Sequence, residues 1–335
     1  MTLTDRRNRP LQGLRISVTD RCNFRCNYCM PEDVFGTDYR FLARDELLTF
    51  EEITRLASLL VERGVRRIRI TGGEPLVRRN LDRLVGMLAA LPGLQDLSLT
   101  TNGSLLPGQA AALAAAGLRR VTVSLDSLDE GVFRSMNGGG AGVADVLRGI
   151  EAAVSAGLLP VKVNAVVRRD VNDHTVVDLV RHFRGTGTIV RFIEYMDVGN
   201  SNGWSLEEVV PAAEILARIS AVFPLEPLEP DHTGEVARRW RLCDGSAEIG
   251  VITSVSNPFC ASCSRLRLSP EGSLYTCLFA GKGFDLRGLL RQGADDAALG
   301  QALDSVWRDR DDQYSRIRSA ATTRLPRVEM SHIGG

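Results

Sequence analysis

Neither sign of charge is in surplus in this 335-residue sequence: 41 Lys and Arg stand against 41 Asp and Glu. A dedicated nucleic-acid binder or a polybasic membrane binder would show a sustained excess of one sign. Both classes are set aside, although a local basic pocket for a small anion is not. Long apolar runs are missing as well. No stretch approaches the roughly 20 apolar residues that a transmembrane helix needs, and the opening MTLTDRRNRP is charged, with no apolar signal core behind it. The expectation is a cytoplasmic protein that engages neither nucleic acid nor membrane. Repeats and low-complexity tracts are absent. Cysteines are few, seven in all, and a chain this long can bury a core without disulfide staples. Bunched at short spacings, they suggest metal binding or catalysis.

What is present is an alternation of short β-type runs with helical stretches. The runs are Leu14–Val18, Arg67–Ile70, Asp96–Thr100, Arg120–Leu125, Pro160–Val167 and Thr188–Ile193; helical apolar spacing marks Glu51–Arg63, Leu81–Leu91, Gln109–Ala116, Val143–Ala156 and Thr175–Phe183. Gly64, Gly117 and Gly157 stand where a helix C-cap adopts positive φ. Repeated βα units imply a parallel sheet. Six are too few to close an eight-stranded barrel, so the expected fold is α/β, a partial (β/α)6 TIM-type barrel over residues 1–204. Beyond it, 205–335 is expected to form a C-terminal α+β module. There Trp204–Ser220 reads as a helix, and strands near Ala237–Leu242 and Ala247–Ile252 lead to a second cysteine group. The final Gly334-Gly335 reads as a flexible end.

Cys22, Cys26 and Cys29 are spaced C-x3-C-x2-C just past the first strand. Three thiolates on one loop can cap three irons of a cubane and leave the fourth open to a chelating ligand. Zinc is the competing reading, since soft thiolates suit it too, but structural zinc usually takes four ligands in paired knuckles and no fourth Cys or His lies nearby. Cys260, Cys263 and Cys277 form a second trio, C-x2-C-x13-C, and Cys243 is expected to be a small buried strand residue. Arg265 and Arg267 lie among the second trio on one face of an extended chain. Paired guanidiniums suit a polyphosphate.

TDRCNFRCNYC (Thr19–Cys29) resembles the cluster loop of the radical S-adenosylmethionine superfamily. Thr71-Gly72-Gly73-Glu74-Pro75, one βα unit later, resembles the segment that holds the amino group of S-adenosylmethionine there. FCASCSRLRLSPEGSLYTC (Phe259–Cys277), RFIEYMDVGN (Arg191–Asn200) and the terminal diglycine are similar to motifs of the GTP 3′,8-cyclase family. The likeness runs from about Gly13 to the last residue.

The resemblance implies two 4Fe–4S clusters, one on Cys22, Cys26 and Cys29 and one on Cys260, Cys263 and Cys277, with S-adenosylmethionine as cosubstrate. It implies contacts to S-adenosylmethionine from Tyr28, Gly73, Glu74, Ser124 and Met196. GTP would be held by Arg15, Arg69, Thr100, Lys162, Arg191, Arg265 and Arg267, with Arg265, Arg267, Gly334 and Gly335 acting in catalysis. A flavodoxin- or ferredoxin-type reductant, hand-over to a cyclic pyranopterin monophosphate synthase and a homodimer are the further partner expectations. Two alternatives stand beside this: another radical S-adenosylmethionine enzyme with an auxiliary cluster, of the peptide-modifying type, and a non-catalytic metal-binding or electron-transfer protein.

Overall fold

Residues 3–231, 234–319 and 322–335 are described by the computed structural model. The six expected strands form: β1 Gly13–Ser17, β2 Arg67–Thr71, β3 Asp96–Thr101, β4 Arg120–Ser124, β5 Lys162–Val167 and β6 Ile189–Glu194. They pair in sequence order, all parallel. After them come β7 Leu225–Leu228, β8 Arg238–Leu242, β9 Glu248–Ile252, β10 Arg265–Leu268, β11 Ser273–Tyr275 and β12 Phe284–Asp285. These later strands continue the same sheet at both edges. β10 lies parallel beside β1 and β9 parallel beside β6, so the open order is β12-β11-β10-β1-β2-β3-β4-β5-β6-β9-β8-β7.

Alternation along each strand decides what faces the cavity. Leu14 and Ile16, Ile68 and Ile70, and Leu266 and Leu268 are buried against the outer layer; the arginines that alternate with them, Arg15, Arg67, Arg69, Arg265 and Arg267, occupy the other face, where Arg267 alone is buried. The outer layer includes helices Phe50–Glu62, Leu81–Ala89, Ala110–Ala115, Val143–Ser155 and Val176–Phe183. Phe50–Glu62 shows how such a helix is specified. Thr49 and Glu52 close a reciprocal capping box at its start, and Ile53, Leu56, Ala57 and Leu60 form the buried stripe. Each large aliphatic side chain so buried contributes about 1.5–3 kcal/mol. Gly64, Gly117 and Gly157 follow their helices at φ +116°, +103° and +77°.

Three expectations need correcting. Trp204–Ser220 is not one helix: a short 3-10 turn at Leu206–Glu208 is followed by a helix over Ala212–Ser220, started by Pro211 at its N-cap. Cys243 is exposed, just past β8, rather than buried. The terminal glycines are held in place: Gly334 is buried, and Gly335, though exposed, lies at the rim of the cavity. Among the described residues no helix is long and apolar enough to cross a membrane.

Candidate active site

The parallel register sets four cations side by side. Arg265 faces Gly13 and Arg267 faces Arg15 across the β10–β1 pair, and Arg15 faces Arg69 across β1–β2. Gly13 is the one gap in the array; a Cβ there would touch the Arg265 stem at 3.4 Å. Lys162 and Arg191 on β5 and β6 complete the array from the other side of the same cavity, which has a volume of about 550 Å³. Among the described residues none of these six cations forms an ion pair with an Asp or Glu side chain. Arg69 makes only 3.5 Å contacts to the hydroxyls of Thr100 and Thr122, and Arg191 donates to Asn164 Oδ1 at 3.0 Å and Thr122 Oγ1 at 3.2 Å. Crowding shows in their acidity. Burial, then Arg267 and Arg69, hold Arg15 well below the usual guanidinium range. Burial and then Arg191 bring Lys162 down to about 8; burial with neighbouring arginines brings Arg191 and Arg267 to about 9. An array that repels itself this way is stabilised by a multiply charged anion.

The first cysteine loop crosses the cavity at the carboxyl ends of the strands. Its main chain is held by the helix Glu130–Asn137: Arg25 and Asn27 donate their N–H groups to Asn137 and Met136 carbonyls at 3.1 and 3.0 Å. Behind the loop lies the Gly72-Gly73-Glu74 turn, with Gly73 N–H donating to Thr19 and Glu74 N–H to Arg21, both at 2.8 Å. A Cβ on Gly73 would lie 2.4 Å from the Arg21 carbonyl oxygen, so only glycine permits this approach. Glu74 lines the cavity and is also tied into the fold. Its carboxylate is buried and accepts from Leu76 N–H (3.0 Å), Thr101 Oγ1 (2.8 Å) and Asn102 N–H (2.7 Å). It ties the turn to β3, and burial pushes it up to about 7. Tyr28 donates its hydroxyl to Asp126 at 2.7 Å, and burial pushes Asp126 up to about 6.

The donors of the first triad fit an iron–sulfur cluster. Burial raises all three thiols, Cys22 to about 11, so iron binding there displaces protons. Phe24 N–H points to Cys22 Sγ at 3.4 Å, the kind of contact that supports a ligated sulfur. Among the described residues no three His, Cys, Asp or Glu donors converge on a single ion position. A cubane does not require it, because each thiolate takes its own iron.

Cys260, Cys263 and Cys277 line the opposite side of the cavity. Burial pushes Cys277 up to about 11. For Cys263 burial acts the same way but is outweighed by Arg265 and Arg310, leaving that thiol at about 6. Arg265 Nη2 lies 3.4 Å from its sulfur.

The C-terminus returns to this cavity. Helix Met330–Ile333 buries Ile333, and Glu329 before it accepts from Asn200 N–H and Ser201 Oγ, both at 3.0 Å. Arg15 then donates to the Gly335 carbonyl and Arg267 to the Gly334 carbonyl.

All the residues singled out above as sites line this one cavity, including Ser124, Thr100 and Met196, with the single exception of Gly334. A second, more open hollow of about 1360 Å³, beside Trp204, Leu206 and Arg316, contains none of the cysteines. Sequence reasoning missed several residues. Glu194 in RFIEYMDVGN accepts from Ala212 N–H at 2.7 Å and from Val255 and Ser256 N–H at 2.8 Å, joining β6 to the approach to the second triad. Asn164 stands two residues beyond Lys162 on the same strand face and was readable from that period. Arg9 and Arg310, which bond the Cys260 and Cys263 carbonyls, carried no local signal.

Comparison with known proteins agrees with this geometry. The Radical SAM superfamily profile matches residues 16–183, and the profile described as Molybdenum Cofactor Synthesis C matches 188–316. Over 99% of this chain, a GTP 3′,8-cyclase of Acidothermus cellulolyticus is 52% identical, with 99% of that protein covered, and one of Xanthomonas campestris is 50% identical, with 97% covered. Among solved structures, Streptococcus suis SuiB bound to S-adenosylmethionine superposes with a TM-score of 0.64 at 16% identity, covering 93% of this chain and 69% of SuiB; this likeness concerns the fold alone. Sharing about half its residues with these cyclases from end to end, the chain belongs to the GTP 3′,8-cyclase family within the radical S-adenosylmethionine superfamily.

Proposed function

We propose that the chain converts GTP to (8S)-3′,8-cyclo-7,8-dihydroguanosine 5′-triphosphate, the first step of molybdenum cofactor biosynthesis, with S-adenosylmethionine and two 4Fe–4S clusters. The observation that carries this is the cation array, Arg15, Arg69, Lys162, Arg191, Arg265 and Arg267, without an Asp or Glu partner among the described residues and facing one cavity between two cysteine triads. Family membership brings S-adenosylmethionine and the first cluster; the second cluster is supported by the Cys260, Cys263 and Cys277 triad with its lowered Cys263.

Cys22, Cys26 and Cys29 would hold a cluster that, once reduced, would supply the electron for cleavage of S-adenosylmethionine, whose deoxyadenosyl fragment would take the 3′ hydrogen of the GTP ribose. The chain's own residues position the reactants. Arg15, Arg69, Lys162 and Arg267 clamp the triphosphate through charge-assisted bonds, with Arg191 and Thr100 beside it. The Gly72-Gly73 main chain, Tyr28, Ser124 and Met196 form the wall for S-adenosylmethionine. Arg265 holds the guanine side next to the second triad, and the Gly334-Gly335 carbonyls orient Arg267 and Arg15. The lining of this one cavity holds the reactants against each other, so that orientation supplies much of the rate. In this division of labour residues 1–204 bring S-adenosylmethionine and 205–335 bring the second triad and the tail. The family resemblance also supports a flavodoxin- or ferredoxin-type donor, transfer of product to a cyclic pyranopterin monophosphate synthase, and a homodimer.

The test is an anaerobic reaction of reconstituted protein with S-adenosylmethionine, dithionite and GTP deuterated at the ribose 3′ position. Deuterium in 5′-deoxyadenosine together with a new isomer of GTP is the expected result. Unlabelled 5′-deoxyadenosine with untouched GTP would retain the superfamily chemistry and reject GTP as substrate.

A further inference from the structure

Two arginines outside the cation array sit behind the second cysteine triad. Arg9 lies in the segment before β1 and Arg310 just past the helix Asp296–Arg308; both side chains are 2% exposed, and the Asp5 carboxylate between them is fully buried. Arg9 donates from Nε to Asp5 Oδ2 at 2.6 Å, and from Nη1 to the carbonyls of Cys260 at 2.9 Å and Asp312 at 2.7 Å. Arg310 donates from Nη1 to Asp5 Oδ2 at 3.3 Å and to the Cys263 carbonyl at 2.7 Å. Two of the three cysteines therefore have their main chain fixed by one buried unit drawn from the two ends of the chain. Trp307 packs under it, with its Nε1 donating to the Arg9 carbonyl at 3.2 Å and its ring 4.6 Å from the Arg310 guanidinium.

One donor of this unit is unused. Among the described residues the buried Arg9 Nη2 has no hydrogen-bond partner, and Arg9 lines the cavity together with Cys260, Cys263 and Cys277. A buried guanidinium donor left unpaired is costly and suits an anionic acceptor rich in sulfur, while the charges of the unit itself are balanced, because Arg310 Nε also bonds the Asp312 carboxylate at 3.3 Å.

We infer that Asp5, Arg9 and Arg310 form a positioning bracket for the second cysteine triad, which holds the main chain of Cys260 and Cys263 and presents Arg9 Nη2 as a hydrogen-bond donor to the sulfur core bound there. The inference rests on the proposed second cluster. An N–H···S bond from a guanidinium favours the more negative, reduced form, so the bracket raises that cluster's potential. A purely structural ion-pair unit would support the fold as a whole and would not single out one cluster.

The experiment uses the full chain, reconstituted anaerobically, as wild type, Arg9→Gln and Arg9→Lys. Iron content is measured and a redox titration is followed by electron paramagnetic resonance. In Arg9→Gln the midpoint potential of the second cluster should fall and its g values shift, while the signal of the first cluster stays in place. Arg9→Lys, which retains the charge but not the fork, should recover part of the potential. An unchanged second-cluster potential and spectrum would overturn the bracket, as would equal loss of both clusters, which would mark Arg9 as general fold support. If wild type shows one cluster only and Cys277→Ser leaves its iron content unchanged, the second cluster itself is removed, and the bracket with it.

Discussion

Arg15 and Arg267 are direct neighbours across the β1–β10 pair, and each donates to a carbonyl of the last two residues, Gly335 and Gly334. Two buried guanidiniums held side by side repel, and burial adds to the cost. The tail eases this only in part, because the Gly334 carbonyl on Arg267 carries no charge and the terminal group of Gly335 on Arg15 carries a single one. A triphosphate would ease it far more, which supports the proposed place of these two positions at the substrate.

Removing one of these cations should therefore show in GTP affinity. Arg267→Ala and Arg15→Ala are each expected to raise KM for GTP by ~10–100-fold, the equivalent of one hydrogen bond to a charged group. Arg265→Ala should lower GTP turnover while both clusters still assemble. Steady-state kinetics with iron analysis checks all three. Unchanged KM in the first two, or intact turnover in the third, would take those residues off the site.

Lys162 gives the pH dependence. Burial and the neighbouring arginines lower it to about 8, so the free enzyme loses this cation as pH rises through that value. Only the charged form attracts phosphate, hence kcat/KM for GTP should be full below about pH 8 and fall above it. A bound triphosphate pulls the group back up, so kcat should break at higher pH than kcat/KM. In Lys162→Arg the break near 8 should vanish. If wild type and the Arg variant show the same profile, Lys162 is not the titrating group.

Much of this was readable locally. Leu14 and Ile16 alternate with Arg15, and that period alone says that the arginine faces away from the helices. The spacing of Cys22, Cys26 and Cys29 and the glycines of Gly72-Gly73 likewise carry their meaning in a few residues. What was unreadable depends on contacts distant in sequence. β10 joins the sheet at β1, some 250 positions earlier, and Arg9 bonds Cys260 across a similar gap. Nothing near those residues announces either. Pro211 was visible, but its power to start a helix was overlooked beside the apolar spacing of the segment.

Gly73 tests how the first triad is supported. A Cβ there meets the Arg21 carbonyl at 2.4 Å, and main chain cannot swing aside as a flexible side chain can. Gly73→Ala should displace the loop that begins at Arg21, cost about 1–3 kcal/mol, and lose the first cluster with S-adenosylmethionine cleavage. Iron on the second triad should remain. Spectra of both clusters decide the matter: if the first survives intact, the turn is less confining than the close approach indicates.

The tail makes the final prediction. Gly334 has φ +77°, and a Cβ on it would lie 2.2 Å from Thr71 Cγ2, so alanine faces both backbone strain and a clash. Relieving them moves the carbonyl that Arg267 uses. Met330–Ile333 stays anchored independently, through buried Ile333 and through Glu329 on Asn200 and Ser201, so the change is confined to the last two residues. Gly334→Ala should leave both clusters assembled and the fold stable, yet lower GTP conversion, because Arg267 loses its orientation at the moment it must meet the phosphates. Deleting Gly334 and Gly335 together should do the same. Thermal unfolding, iron content and the ratio of product formed to S-adenosylmethionine consumed measure this directly. Turnover equal to wild type in both variants would reduce the diglycine to a packed chain end without a part in catalysis.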